Sequence, residues 1–168
     1  MSINLNPLLL TVLSPLLGFA LILFINKESK NAIRWVALCT SFVTFLVSLL
    51  LVGKFNNGNP GFQHEVDQVW FAIAGIPVGF HIGVDGLNIL LILLTTFLTP
   101  ISILSTWSAI DEQVKGFMLF FLLLEVGMLG VFVSIDLVLF YVFWEFTLVP
   151  MYFLIGVWGG KRLSLIHI

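Results

Sequence analysis

The sequence is short of charge, cysteine and glycine-rich loops, and each shortage excludes a class of protein. Only 16 of the 168 residues are Asp, Glu, Lys or Arg, whereas 60% are hydrophobic. A soluble domain has about a quarter of its residues charged, so most of this surface must face lipid. The single cysteine, Cys39, excludes a disulfide framework and a cysteine-ligated cluster. The net charge of −2 and the absence of a phosphate-binding glycine motif argue against nucleic-acid and nucleotide binding.

Long apolar runs dominate what is present. A run of about 20 residues crosses a hydrocarbon core of roughly 30 Å as a helix. Lipid cannot satisfy backbone polar groups, and the runs lack the alternation of barrel strands, so helices are predicted. The sequence therefore predicts an all-α transmembrane fold with five spans, at about Leu5–Ile25, Ile33–Gly53, about Asp85–Trp107, Gly116–Ile135 and Asp136–Trp158.

The basic residues are distributed unequally between the two ends of these spans. With five crossings, one side holds six basic residues and the other holds only Lys54. The six are Lys27, Lys30, Arg34, Lys115, Lys161 and Arg162. By the positive-inside rule, this bias predicts an outer N-terminus, periplasmic in a bacterial inner membrane.

One sizeable polar stretch, Lys54–Val84, separates the second and third spans. Two β-prone runs, Val66–Ala74 and Val78–Val84, flank the turn signal Gly75-Ile76-Pro77. This pattern predicts a short β-hairpin on the periplasmic face.

Two carboxylates inside apolar spans carry the chemical signal. Glu125 precedes Asp136 by eleven residues and Glu145 follows it by nine. At 1.5 Å per residue, both lie roughly 15 Å from that turn, near the membrane midplane. An ionised group there costs about 2.5 kcal/mol or more. A buried carboxyl balanced between desolvation and a basic partner can load and release a proton. The alternative is an acid with a fixed proton that bonds neighbouring helices.

Other polar residues are weaker candidates. Asp85 and Asp136 begin helices, where an acid is stabilised by the helix dipole. His64 and His81 lie in the polar stretch near acidic residues, and a solvated loop is a better interpretation than a metal site. The hydroxyl residues of the third span, Thr95, Thr96, Thr99 and Ser102, can hydrogen-bond to neighbouring helices.

The stretch from Glu125 to Gly160 closely resembles the NuoM-type, antiporter-like membrane subunit of respiratory complex I, the counterpart of mitochondrial NADH dehydrogenase subunit 4. Its most specific part is Phe-Trp-Glu145-Phe-Thr-Leu-Val-Pro150-Met-Tyr. Gly83-Val-Asp85-Gly86-Leu87-Asn88 is similar to the family signature at the start of the third helix.

The resemblance implies a subunit of proton-translocating NADH:quinone oxidoreductase, with other membrane subunits of the complex and the lipid bilayer as partners. It implies no cofactor in this chain, since NAD, FMN, iron–sulfur clusters and quinone belong to other subunits. It also implies that Glu145 is the proton carrier, paired with a lysine on the seventh helix of the family. Glu125 matches no assigned family position and is a possible auxiliary acid.

Two alternatives remain, a cation/proton antiporter subunit of the Mrp type and a membrane fragment without function. Residues 1–162 correspond to the N-terminal five-helix portion of the family, and the last six residues, 163–168, do not resemble its continuation. We therefore expect a truncated reading frame, whose isolated product would not pump protons.

Overall fold

A computed structural model of the protein describes residues 6–56, 58–59, 61–73 and 76–159. Within these residues five helices and one two-stranded sheet follow in the order α1 (Pro7–Phe24), α2 (Lys30–Gly53), β1 (Gln63–Ile73), β2 (Ile76–Val84), α3 (Asn88–Ser105), α4 (Val114–Val133) and α5 (Leu137–Trp158). All five helices are long and apolar enough to cross a membrane. The five predicted apolar helices and the hairpin between the second and third are confirmed, whereas the periplasmic location of the hairpin stays a prediction.

Local capping sets where three of the helices begin. The Asn6 side chain accepts the Leu8 amide, and α1 begins at Pro7; the predicted start, at about Leu5, lies outside the described residues. The third helix was predicted to begin at Asp85, yet the Asp85 carboxylate accepts the amides of Leu87 and Asn88, and α3 begins at Asn88. Asp136 is itself the N-cap of α5 and accepts the amides of Val138 and Leu139, whereas Asp85 lies two residues before the N-cap of α3, Leu87. Both aspartates therefore have the helix-starting role that their positions predicted.

The hairpin is tied to two helix ends. β1 and β2 pair antiparallel, with register shifts between Gln63 and Val66 and between Val69 and Phe71. The Ile135 amide donates to His81 O at 2.9 Å, and Asn6 Nδ2 donates to His64 O at 2.7 Å. The hairpin therefore covers the end of the bundle where α1 begins and α4 turns into α5. Of the predicted turn, Gly75 lies outside the described residues.

The opposite end of the bundle carries the described basic residues other than Lys54. Lys115 Nζ donates to Leu23 O at 3.0 Å and to Ile25 O at 2.8 Å, which satisfies carbonyls at the end of α1. Lys30 pairs with Asp111 at 3.0 Å. Lys54 follows α2 at the hairpin end. The segregation predicted from the sequence is therefore present among these residues, whereas Lys161 and Arg162 lie outside the described ones.

The interior has two apolar clusters with buried hydroxyl pairs between the helices. One cluster lies at the hairpin end, around Leu8, Ile82 and Leu129, and the other lies at the basic end, around Ile33 and Met118. Among the residues that the structure describes, two hydroxyl pairs join neighbouring helices, Ser14 with Thr44 and Ser48 with Thr96, each at 2.8 Å. The predicted interhelix role of Thr96 is confirmed. Such contacts are worth about 0.6 kcal/mol each in a membrane bundle.

Candidate functional site: two carboxylates on adjacent helices

The two candidate acids lie on consecutive antiparallel helices at the same level. Glu125 lies eight residues before Val133, the last residue of α4, and Glu145 lies eight residues after Leu137, the first residue of α5. Each carboxylate is therefore roughly 12 Å from the turn that joins the helices. The two acids therefore share one level on neighbouring helices, as the sequence predicted, and their depth in the membrane stays a prediction.

Close packing holds α4 and α5 together on either side of that level. A Cβ added to Gly130 would overlap the ring of Phe143, and one added to Gly127 would come within 2.7 Å of Thr147 Cγ2. Toward the other end, the rings of Phe120 and Phe153 stack with centroids 4.8 Å apart. The two glycines let the helices approach closely, as small residues do in membrane bundles.

Glu125 faces the interior of the bundle. Its side chain is 0% exposed and lies among the buried residues Leu122, Val126 and Leu129 of α4. The Thr99 hydroxyl of α3 lies beside the carboxyl, but it donates to Thr95 O at 2.9 Å. Neither carboxyl oxygen has a hydrogen-bond partner among the described residues. An unsatisfied polar group in such a place costs roughly 1–3 kcal/mol.

Glu145 faces outward from α5. The residue is exposed, as are its neighbours Trp144 and Phe146. Tyr141, one turn earlier on the same face, is 60% exposed, and its hydroxyl lies next to the Glu145 carboxylate. Glu125 and Glu145 therefore lie in different environments, one inside the bundle and the other on its open side. The sequence left their mutual orientation undecided.

His64 and His81 lie on the two strands of the hairpin. His81 lies opposite Asp67 in the strand register, and His64 lies in the irregular part of β1. No group of three or more potential ligands occurs among the described residues. Burial, with a contribution from Lys54, lowers the pKa of His64 below its usual value. The interpretation as a solvated loop is wrong in one respect, because both histidines lie on strands of the hairpin and each has a buried ring nitrogen.

A buried arginine is the polar feature that the sequence interpretation missed. Arg34 counted there only toward the charge bias, yet it is 8% exposed, and its guanidinium lies 5.9 Å from the ring centroid of Trp107. Its Nη2 donates to Ile110 O at 2.8 Å. A basic residue within the first turns of a long apolar helix was the signal that could have found it, because a charge there needs buried partners.

The comparisons with known proteins agree with the fold and with the apolar pattern. Residues 134–165 match the family described as NADH:quinone oxidoreductase/Mrp antiporter, TM. The chain is 45% identical over 164 residues to NADH-quinone oxidoreductase subunit M of Rhodobacter capsulatus, covering 94% of this chain and 30% of that protein. It is 41% identical over 157 residues to NADH-ubiquinone oxidoreductase chain 4 of Chondrus crispus, covering 94% of this chain and 32% of the relative.

A solved structure shows the same fold at lower identity. A chain of the membrane-bound sulfane sulfur reductase, an archaeal respiratory membrane complex, superposes with a TM-score of 0.71 and 19% identity over 95% of this chain and 24% of that one. The chain spans about 30% of the length of the curated relatives that it matches. Together the comparisons confirm the predicted resemblance to the antiporter-like membrane subunits of NADH:quinone oxidoreductase, and the several apolar helices are those of a multi-pass membrane protein.

Proposed function

We propose that this chain contributes part of the proton path in a membrane subunit of NADH:quinone oxidoreductase, with Glu145 as the proton-carrying acid. The observation that carries the proposal is the position of Glu145, at mid-span on the open face of α5. A carboxylate at this depth requires a cationic partner, water or a proton. The open face gives another membrane element direct access to it, including one that carries a lysine.

The proposed mechanism is electrostatic. A cation that approaches Glu145 stabilises the ionised form, and the proton leaves; when the cation withdraws, desolvation favours the protonated form again. Electron transfer and its cofactors, NAD, FMN, iron–sulfur clusters and quinone, belong to other subunits in this proposal. The N-terminus then lies in the periplasm and the basic end in the cytoplasm of a bacterial inner membrane, as the positive-inside rule predicts.

We assign Glu125 an auxiliary role in the same proposal. Its carboxyl lies at the level of Glu145 but faces α3 rather than the open side. It exchanges protons only if water reaches the interior of the bundle. We therefore expect a smaller effect on transport from Glu125→Gln than from Glu145→Gln.

The test is proton uptake by membrane vesicles that contain the full respiratory complex. NADH oxidation drives uptake, and a pH-sensitive dye reports it. Glu145→Gln keeps the shape of the side chain but cannot release a proton, so we expect at least a tenfold loss of uptake at an unchanged amount of assembled complex. Glu65→Gln, on the exposed hairpin, is the matched control. Full uptake by the Glu145→Gln complex would remove this residue from the proton path.

A cation/proton antiporter subunit is the second candidate, because the matching family description names both kinds of protein. The two functions differ in what drives the proton. Uptake that depends on NADH supports the first, and uptake that depends on an imposed sodium gradient without NADH supports the second.

A further inference from the structure

A cavity of about 460 Å³ lies at the basic end of the bundle, away from both carboxylates of the proton path. It is formed by the start of α2 and by the loop between α3 and α4. The charged and polar residues that line it include Glu28, Ser29, Lys30, Asn31, Arg34 and Asp111. Its volume lies within the range of about 300–1,000 Å³ that is typical of small-ligand sites.

One part of this lining is positive. α2 begins at Lys30, and its N-cap residue, Ser29, makes no side-chain capping bond. The Lys30 amide donates to Glu28 O, so the amides of Asn31 and Ala32 and the positive end of a 24-residue helix are what the first turn offers. Lys30 lies on this turn and Arg34 one turn further. Arg34 is nine-tenths buried, and its Nε has no hydrogen-bond partner among the described residues. Amides, an ammonium and a guanidinium together suit a phosphate group.

The other part of the lining is negative. Asp111 accepts Lys30 Nζ at 3.0 Å and lies 3.4 Å from Arg34 Nη2, and Glu28 adds a second carboxylate. The hydrogen bond from Lys30 holds the pKa of Asp111 below its usual value, so Asp111 is ionised at neutral pH. Two cations and two anions line the cavity. A simple anion would meet two carboxylates here, whereas a group that carries both charges finds a partner for each.

Tryptophans place the cavity at the level of lipid headgroups. Trp35, which follows Arg34, is 57% exposed. Its ring contacts Trp107 edge to face, with centroids 5.3 Å apart, and Trp107 lies beneath the Arg34 guanidinium. Indole rings collect at the membrane–water interface. A ligand that carries two charges at this level is most simply a phospholipid.

We propose that this cavity binds the headgroup of phosphatidylethanolamine, with its phosphate at Lys30, Arg34 and the start of α2 and its ammonium at Glu28 and Asp111. The primary ammonium has three N–H donors for these carboxylates. Phosphatidylcholine carries the same charges but has no N–H donor, and phosphatidylglycerol has no cation. The three lipids with identical acyl chains therefore separate recognition of the ammonium from attraction of the phosphate.

The experiment measures which lipid the full chain retains. The purified protein is equilibrated with vesicles of the three lipids in equal amounts, and the lipid that stays bound is counted by mass spectrometry of the intact complex. We expect phosphatidylethanolamine to exceed each of the others by roughly threefold, the scale of one exposed ion pair. Equal retention of phosphatidylcholine, or preference for phosphatidylglycerol, overturns the proposal. Displacement of the bound lipid by inorganic phosphate overturns it too, because the site would then hold a soluble anion.

Two exposed residues provide variants that do not disturb the interior. Lys30→Gln and Asp111→Asn each remove one charge from the lining, and we expect each to lower the preference for phosphatidylethanolamine roughly threefold. Lys54→Gln, at the other end of α2, is the matched control and should leave the preference unchanged. A preference that survives both lining variants, or that falls equally with Lys54→Gln, would place the bound lipid elsewhere.

Discussion

α4 and α5 are similar in length and apolar composition, but they differ in how much of each helix is buried. They are consecutive, antiparallel and of similar length, and each carries one glutamate at the same depth. Half of the α4 span is buried, compared with 11% of the α5 span. α4 packs against α1, α2, α3 and α5, whereas α5 packs on α4 and touches β2. The apolar residues of α4 therefore mostly pack against other helices, whereas most of those of α5 form an exposed face.

Because of this difference in burial, Glu125 and Glu145 have different surroundings. Glu125 is sealed inside the bundle and has no hydrogen-bond partner among the described residues, so its environment opposes ionisation. Glu145 faces outward, where another membrane element can reach it. A carboxylate whose surroundings can change is the better proton carrier, which is why Glu145 carries the proposed function.

The largest expected difference in stability is between two leucine-to-alanine substitutions, one on α4 and one on α5. Leu122 is fully buried in α4, so Leu122→Ala leaves a cavity and should cost about 2–5 kcal/mol of the free energy of unfolding. Leu148 of α5 is 39% exposed, and Leu148→Ala should change stability by less than about 0.5 kcal/mol. Thermal unfolding of the full chain in detergent measures both. Equal losses would show that the outer face of α5 is packed, and the comparison of the two helices would fail.

Added side chains at two glycines test the contact between the helices. Gly130→Ala places a methyl group against the ring of Phe143 and should cost about 1–3 kcal/mol, since the ring has to move. Gly156 of α5 has no atom within 4 Å of an added Cβ, so Gly156→Ala should raise helix stability by up to about 1 kcal/mol. A loss of stability for Gly130→Ala together with a gain for Gly156→Ala, in the same unfolding assay, would support the close approach of α4 and α5. A loss of stability for both variants would argue against it.

Replacing each glutamate by leucine separates the two environments. Glu125→Leu removes an unsatisfied buried polar group and should stabilise the chain by about 1 kcal/mol. Glu145→Leu changes an outward-facing position and should leave stability within about 0.5 kcal/mol. Destabilisation by Glu125→Leu would mean that the carboxyl has a partner, with the nearby Thr99 hydroxyl the first to examine.

The smallest expected effects come from the residues that begin the helices. Asp136 accepts two amides of α5, so Asp136→Ala should cost about 1 kcal/mol, and Asp136→Asn should retain most of the capping. Gln113 precedes α4 with a φ of 50° and makes no side-chain capping bond. Gln113→Gly should therefore stabilise the chain by a few tenths of a kcal/mol, because glycine adopts this conformation freely. A cost at Gln113 equal to that at Asp136 would contradict the different capping of the two helices.

Much of the fold could be predicted because the signals are local. Apolar runs located all five helices, and the Gly/Pro turn between β-prone runs located the hairpin. The ends were less accurate: α3 begins three residues after the predicted Asp85, because this aspartate lies before the N-cap, Leu87, and its carboxylate accepts the amides of Leu87 and Asn88. α2 begins at Lys30 rather than at Ile33, because a helix can continue into polar residues beyond the apolar run.

The candidate site was predictable only in part. The depth of Glu125 and Glu145 follows from counting residues along two helices. The side that each carboxylate faces depends on which helices pack around it, and the packing partners of a helix cannot be predicted from residue spacing. For the same reason Arg34 was counted only toward the charge bias, although contacts with Trp107 and Ile110 of another segment help to bury it.

The sequence alone determined that this chain crosses a membrane several times, that its basic residues gather at one end, and that two acids lie at mid-depth. These properties depend on composition and order along the chain, because lipid selects apolar helices one segment at a time. Tertiary structure decided that α4 lies inside and α5 at the edge, that Glu125 is sealed and Glu145 open, and that Lys30, Arg34 and Asp111 line one cavity. Those outcomes depend on contacts between segments far apart in sequence, and only the packed bundle brings them together.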